Sequence, residues 1–152
     1  MTAGQKQMFG GDWTEQKLEM LRRYLTAYTT ALKRQPFELV YIDAFAGTGY
    51  REAPDEQADD VLRFPDLAGP EPRGLLDGSA RIALRTAPPF HRYVFIESSA
   101  KRADELTKLA EGAPVPGDRI EVVQTDCNDY LQQACRVWNW RQRRAVLFLD
   151  PY

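Results

Sequence analysis

Apolar residues recur along the chain in two rhythms. The first runs Leu18, Leu21, Leu25, Tyr28 and Leu32, at spacings of 3, 4, 3 and 4, and predicts an amphipathic helix of about 20 residues. Asp12 with Glu15 has the form of a capping box at its start, with Thr14 as the alternative cap, and Pro36 stops it. Residues 1–11 are polar and Gly-containing and read as a loose arm, so that 1–36 form a leading arm and helix. The second rhythm is a set of short, nearly continuous apolar runs: Leu39–Asp43, Arg92–Glu97, Ile120–Thr125 and Ala145–Asp150. Such runs predict strands covered on both faces, hence a parallel sheet. Helical stretches lie between them. Ser79–Arg85 reads as a short helix after the turn-forming Asp77-Gly78. Ser99–Glu111 has Ser98 or Ser99 as cap, Ala103, Leu106, Leu109 and Ala110 inward, and Gly112-Ala113-Pro114 as stop. A last helix, capped by Asn128, carries Leu131, Ala134, Cys135 and Trp138. The alternation of strands and helices is that of an α/β fold.

Residues 51–77 break the alternation. They hold four prolines, eight acids and three arginines and read as a long acidic loop, either a functional lid or a disordered insert. Composition adds little to this picture: 152 residues, 43% hydrophobic, 28% charged and a net charge of −2 fit one domain, 1–152, with a real core. No excess of basic residues announces nucleic acid. The two cysteines, Cys127 and Cys135, form no C-x-x-C, and His91 is the one histidine, so no zinc site is expected from this chain alone. Reduced thiols in a cytoplasmic protein are the expected reading, and no apolar run approaches the ~18 residues of a membrane span.

Candidate chemistry begins where the first strand ends, at Asp43-Ala44-Phe45-Ala46-Gly47-Thr48-Gly49. Glycines there let backbone N–H groups approach a ligand. The other strands also end in acids, Glu97, Asp126 and Asp150, at equivalent positions, and ligands of parallel sheets bind at that edge. A nucleoside-triphosphate loop is excluded because Gly49 is followed by Tyr50-Arg51-Glu52, without the lysine such a loop needs. A dinucleotide site lacks its third glycine and an acid ~20 residues on. S-adenosylmethionine fits better: Asp43 and the glycine turn would face its amino acid end, Glu97 would accept from both ribose hydroxyls, and Asp126, with Cys127 nearby, would accept from the adenine amine.

At this point the chain resembles class I S-adenosylmethionine-dependent methyltransferases. Asp150-Pro151-Tyr152 looks like a shortened D-P-P-Y motif, in which the acid and the proline-fixed carbonyl hold an amine nitrogen and the ring stacks on a planar substrate. Gly11-Asp12-Trp13-Thr14, the leading helix, the Asp43–Gly49 run, Gly78-Ser79-Ala80, Phe95-Ile96-Glu97, Asp126-Cys127-Asn128 and Leu147–Tyr152 together resemble the three-Cys-motif partner protein family (TcmP). The resemblance implies a Rossmann-like methyltransferase three-layer sandwich with strand order 3-2-1-4 behind a leading N-terminal helix. It implies a cofactor set of Asp43, Phe45, Ala46, Gly47, Thr48, Gly49, Glu97, Ser98, Asp126 and Cys127, and a catalytic set of Asp150, Pro151 and Tyr152. It also implies a separate Cys-containing protein partner.

The chain stops at Tyr152, directly after the fourth strand, where such a sheet would continue. The expectation is therefore a C-terminally incomplete domain whose fourth strand is an edge open to self-association, which favours retained binding over retained turnover. The expected activity is N-directed methyl transfer to a nucleobase, protein side chain or small amine. The rival expectation is a degenerate methyltransferase-fold partner or regulatory protein. Trp138 and Trp140 among Arg136, Arg141, Arg143 and Arg144 raise a nucleic-acid contact as a further alternative, against ordinary packing at a helix end.

Overall fold

In the computed structural model, which describes residues 11–44 and 71–149, the four apolar runs form strands β1 (Glu38–Ala44), β2 (Arg92–Ile96), β3 (Ile120–Val123) and β4 (Arg143–Leu149). They pair in parallel in the order β3-β2-β1-β4. The connecting helices are α1 (Gly11–Leu32), α2 (Glu71–Arg85), α3 (Ala100–Glu111) and α4 (Cys127–Val137), with a short 3-10 turn at Gly117–Arg119.

Strand β1 has a neighbour on each edge and is buried from Leu39 to Ala44. Side-chain alternation splits its residues between two cores. Leu39 and Tyr41 join Tyr93 and Phe95 under Leu21 and Leu25 of α1, Ala80, Ala83 and Leu84 of α2, and Leu106 of α3. Val40, Ile42 and Ala44 join Val94 and Ile96 on the other face, under Cys127 and Leu131 of α4. Helices therefore lie on both faces of the sheet. Coverage on both faces holds for β1 and β2 but not for the outer strands. β3 is only half-buried, and β4 leaves Leu147 and Leu149 at 45% and 47% exposure.

The strands start at one charged edge. Arg143 of β4 donates from Nε to Glu38 of β1 at 2.6 Å, Arg92 of β2 lies 4.0 Å from Glu38, and its other arm lies 3.4 Å from Glu121 of β3. Alternating signs thus run across all four strands. Each pair is partly exposed and contributes little on its own, about 0–1 kcal/mol, yet the ladder matches only this strand order. His91 belongs to the same edge: its Nδ1 accepts from the Leu39 N–H at 2.9 Å, and its own N–H donates to the Leu39 carbonyl at 2.9 Å. That is a structural role at a strand entrance.

Several boundaries differ from the sequence expectation, each for a local reason. Helix α1 begins at Gly11, ahead of both Asp12 and Thr14, so neither is its cap. Helix α2 begins at Glu71, not at Ser79, and takes in Asp77-Gly78; the loop expected over 51–77 therefore gives way to helix from Glu71, and residues 51–70 lie outside the described residues. Pro72 falls in the first turn of α2, where a missing N–H is harmless. Gly78 is not a turn residue but a point of close approach: a Cβ there would lie 2.6 Å from Leu18 Cδ1 of α1. Helix α4 is capped by Asp126, not Asn128, since Asp126 Oδ1 accepts from the N–H groups of Asn128 at 2.9 Å and Asp129 at 3.2 Å. Cys135, expected inward, is exposed, whereas Ala134 and Leu131 carry the buried face. For α3, Ser99 holds the cap position and Ala103 and Leu106 are its buried residues. No described helix is long and apolar enough to cross a membrane.

The contact at Gly78 sets up a contrast between two helix-associated glycines. Gly78→Leu should lower stability by about 1–3 kcal/mol through overpacking against Leu18. Gly112→Ala, whose Cβ would meet nothing closer than the Leu109 carbonyl at 3.8 Å, should change it by less than about 0.5 kcal/mol. Urea midpoints of the two variants at equal slope measure the difference; equal midpoints would contradict the close approach.

Candidate functional site

The strands end nearly level. Val123, Ile96, Ala44 and Leu149 stand in one row across β3, β2, β1 and β4. The acids expected at equivalent positions are staggered about that row. Asp43 sits one residue inside it, opposite Phe95. Glu97 sits directly beyond it on β2, and its N–H still pairs with the Val123 carbonyl at 3.0 Å. Asp126 lies further out, at the start of α4. Asp150 follows Leu149 in the sequence and, with Pro151 and Tyr152, lies outside the described residues; so do Phe45, Ala46, Gly47, Thr48 and Gly49.

Depth along the strand gives each described acid a different environment. Asp43 is fully buried. Its Oδ2 accepts from the Tyr41 hydroxyl at 2.9 Å and from the Ser79 hydroxyl of α2 at 2.9 Å. Both donors meet Oδ2, whereas Oδ1 is buried without a hydrogen bond among the described residues. Burial and then the adjacent Asp43 charge push the Tyr41 phenol well above its ordinary value, so it remains a donor. Asp43 therefore anchors the end of β1 to α2. Neither Tyr41 nor Ser79 was assigned a role by the sequence reading. Tyr41 was within reach of it, because residues two apart on a strand share a face; Ser79, on another element, was not.

Glu97 is 2% exposed. Its Oε1 accepts from the Ser99 N–H at 3.0 Å, just ahead of α3. Its Oε2 is buried and has no hydrogen-bond partner among the described residues. Burial pushes its carboxyl above the ordinary 4.5, against the opposing pull of the Ser99 N–H, the Arg102 charge and the Ser98 N–H. Ser98 itself is exposed beside it. A buried acceptor left half-satisfied is costly to the fold, and it is the natural seat of a ligand hydroxyl or N–H.

Asp126 is exposed and is spent on capping α4. Cys127 follows it, but its side chain is 3% exposed and packs with Val40, Ile42 and Ile96. Burial first, then the Asp126 charge, raises its thiol, which leaves it neutral and a poor nucleophile. Among the described residues no group of three or more His, Cys, Asp or Glu could hold a metal ion.

The basic and aromatic cluster ahead of β4 is divided between packing contacts and the surface. The Trp138 ring lies tilted against Trp140 at 5.5 Å and meets the Tyr130 ring edge-on at 6.4 Å. The Arg143 guanidinium lies 5.1 Å over Trp138 while bonded to Glu38. Arg144 lies 3.9 Å over Phe37 and donates to the Trp140 carbonyl. Those two arginines are engaged within the fold, whereas Arg136 and Arg141 are exposed.

The fold and this edge define an α/β protein with a parallel sheet and a half-satisfied carboxylate where such sheets take their ligands. No family model, curated protein or solved structure matches the chain.

Glu97 generates a pH prediction with a definite sign. Its folded-state pKa is raised, so above 4.5 the unfolded chain ionises first and the native state binds more protons. Stability contributed by the neutral form is complete below the unfolded value and is lost as pH rises through the folded one. Glu97→Gln keeps an acceptor for Ser99 and removes the charge. Its stability relative to the parent chain should therefore increase between about pH 4 and about pH 7 in denaturant titrations. A difference that stays constant, or shrinks, would contradict a destabilised carboxylate.

Proposed function

We propose that the chain binds S-adenosylmethionine at the carboxyl edge of its sheet and serves methyl transfer, as its resemblance to Rossmann-like methyltransferases of the three-Cys-motif partner type implies. The observation that carries this reading is the buried Glu97 Oε2 with no partner among the described residues. It sits directly beyond the β2 row, where an acid suits a ribose hydroxyl, and a hydroxyl donor would remove the deficit. Glu97 thus fits the cofactor at a position where a buried acceptor lacks a partner among the described residues.

When bound, the cofactor supplies an electrophilic methyl group on a sulfonium. The chain's own residues hold and orient. Glu97, its Oε1 already fixed by Ser99 N–H, offers Oε2 in one orientation. Asp43 works from inside: tied to Tyr41 and Ser79, it holds the end of β1 to α2. Asp126 supports the edge by capping α4. Asp150, Pro151 and Tyr152, next in sequence after β4, are the proposed acceptor-side residues. The Asp150 carboxylate and Pro151 carbonyl would accept from an amine and leave its lone pair aimed at the methyl group, with Tyr152 against a planar acceptor. Alignment and water exclusion would supply most of the rate, since no covalent intermediate is needed.

Calorimetric titration with S-adenosylhomocysteine tests the reading. Saturable binding is expected, weakened about ten- to hundredfold in Glu97→Ala by loss of hydrogen bonds to a charged acceptor, and unchanged in Asp150→Ala. Absence of binding at millimolar ligand, or binding indifferent to Glu97, would overturn it.

A further inference from the structure

Helices α2 and α3 enclose a groove of about 600 Å³ on the α1 side of the sheet. It lies near their C-terminal ends, toward the edge where β2 and β3 begin, and so away from the carboxyl edge. Three cations line it: Arg81 and Arg85 of α2, one turn apart, and Lys108 of α3 across from them; Glu105 is its one acid. Leu84 and Leu109 contribute apolar wall between the charges.

Ion pairs and ring contacts engage several cations elsewhere among the described residues. Arg22 and Arg23 are paired to Glu19, Arg92 to Glu38 and Glu121, and Arg143 to Glu38, while Arg144 stacks on Phe37. Arg81, Arg85 and Lys108 make no ion pair among the described residues, although they share a concave surface. Attraction to a helix C-terminus accounts for Arg85 and Lys108, which lie in the last turns of α2 and α3. It does not account for Arg81 a turn earlier. Like charges four apart on a helix repel one another, and an anion bridging them relieves that repulsion. Apolar walls lower the local dielectric and focus the field into the groove, and guanidinium forks match phosphoryl oxygens with paired N–H donors. Its volume is that of a small-molecule site.

We infer that this groove binds the phosphoryl groups of a small phosphate-bearing molecule, with Arg81 and Arg85 as the forked donors and Lys108 as the opposing charge. The site is independent of the cofactor reading.

Titration of the full chain with pyrophosphate and with adenosine diphosphate, followed by calorimetry at low fixed ionic strength, tests it. Saturable one-site binding is expected for both. The double variant Arg81→Ala/Arg85→Ala should weaken it by about tenfold or more. Glu105→Gln, which removes the acid from the groove, should tighten it severalfold, and Arg141→Ala, elsewhere on the surface, should leave it unchanged. The altered side chains Arg81, Arg85, Glu105 and Arg141 are exposed, and unchanged thermal unfolding would confirm that they fold. Absence of saturable binding at millimolar ligand, equal loss in Arg141→Ala, or no gain in Glu105→Gln would overturn the proposal. So would tight binding of a single-stranded oligonucleotide that pyrophosphate does not displace.

Discussion

Strand β1 is hydrogen-bonded along both edges and covered on both faces, and that double burial governs how the remaining elements are placed. A strand in this position has no route to water for any polar group, so its backbone needs two parallel neighbours and its side chains need a helical layer above and below. Helices α1 and α2 meet that need on one face. They come close enough that a Cβ at Gly78 would have to displace the end of the Leu18 side chain. The buried acid within β1, Asp43, is tolerated because Tyr41 and Ser79 both donate to it. Through Ser79 the end of the strand is tied to α2.

The two ends of the sheet handle charge in opposite ways. At the amino edge, Arg143, Glu38, Arg92 and Glu121 alternate in sign from strand to strand, so the charges there largely answer one another. At the carboxyl edge three acids that look alike in sequence serve three ends. Asp43 lies within the sheet, where the Tyr41 and Ser79 hydroxyls donate to its Oδ2. Asp126 lies outside it and caps a helix. Glu97, between them in depth, is buried yet satisfied at only one oxygen among the described residues. A difference of a few residues along the strand direction separates a structural carboxylate, a cap and a candidate ligand site.

Much of this was legible in the sequence because strand periodicity and apolar runs are local signals. Leu39–Asp43 and Arg92–Glu97 mark the two central strands almost to the residue, and Leu21, Leu25 and Leu106 face the core as their spacing requires. The parallel sheet follows from the same pattern. What was not legible depended on contacts between distant elements. Gly78 reads as a turn until Leu18 is seen against it, and Ser79 has no partner until α2 packs on β1. Asn128 and Asp126 are both good caps by residue type; only the helix start at Cys127 decides between them. Cys135 looks inward on a helical wheel, but α4 is turned so that Leu131 and Ala134 face the sheet. Within the candidate site, Glu97 was identified for its position after the second strand, whereas the inward role of Asp43 was hidden by its likeness to a ligand-facing acid.

The central claim is that Glu97 supplies the ligand acceptor of the carboxyl edge. The most direct measurement is an amide nitrogen–proton correlation spectrum of the chain during titration with S-adenosylhomocysteine, because the Ser99 N–H is bonded to the same carboxylate. The account predicts saturable shifts of the Glu97, Ser98 and Ser99 amides, with Lys108 and Gly112 at the far end of α3 unmoved. Shifts confined to the far end of α3, or no saturable shift near Glu97, would contradict it.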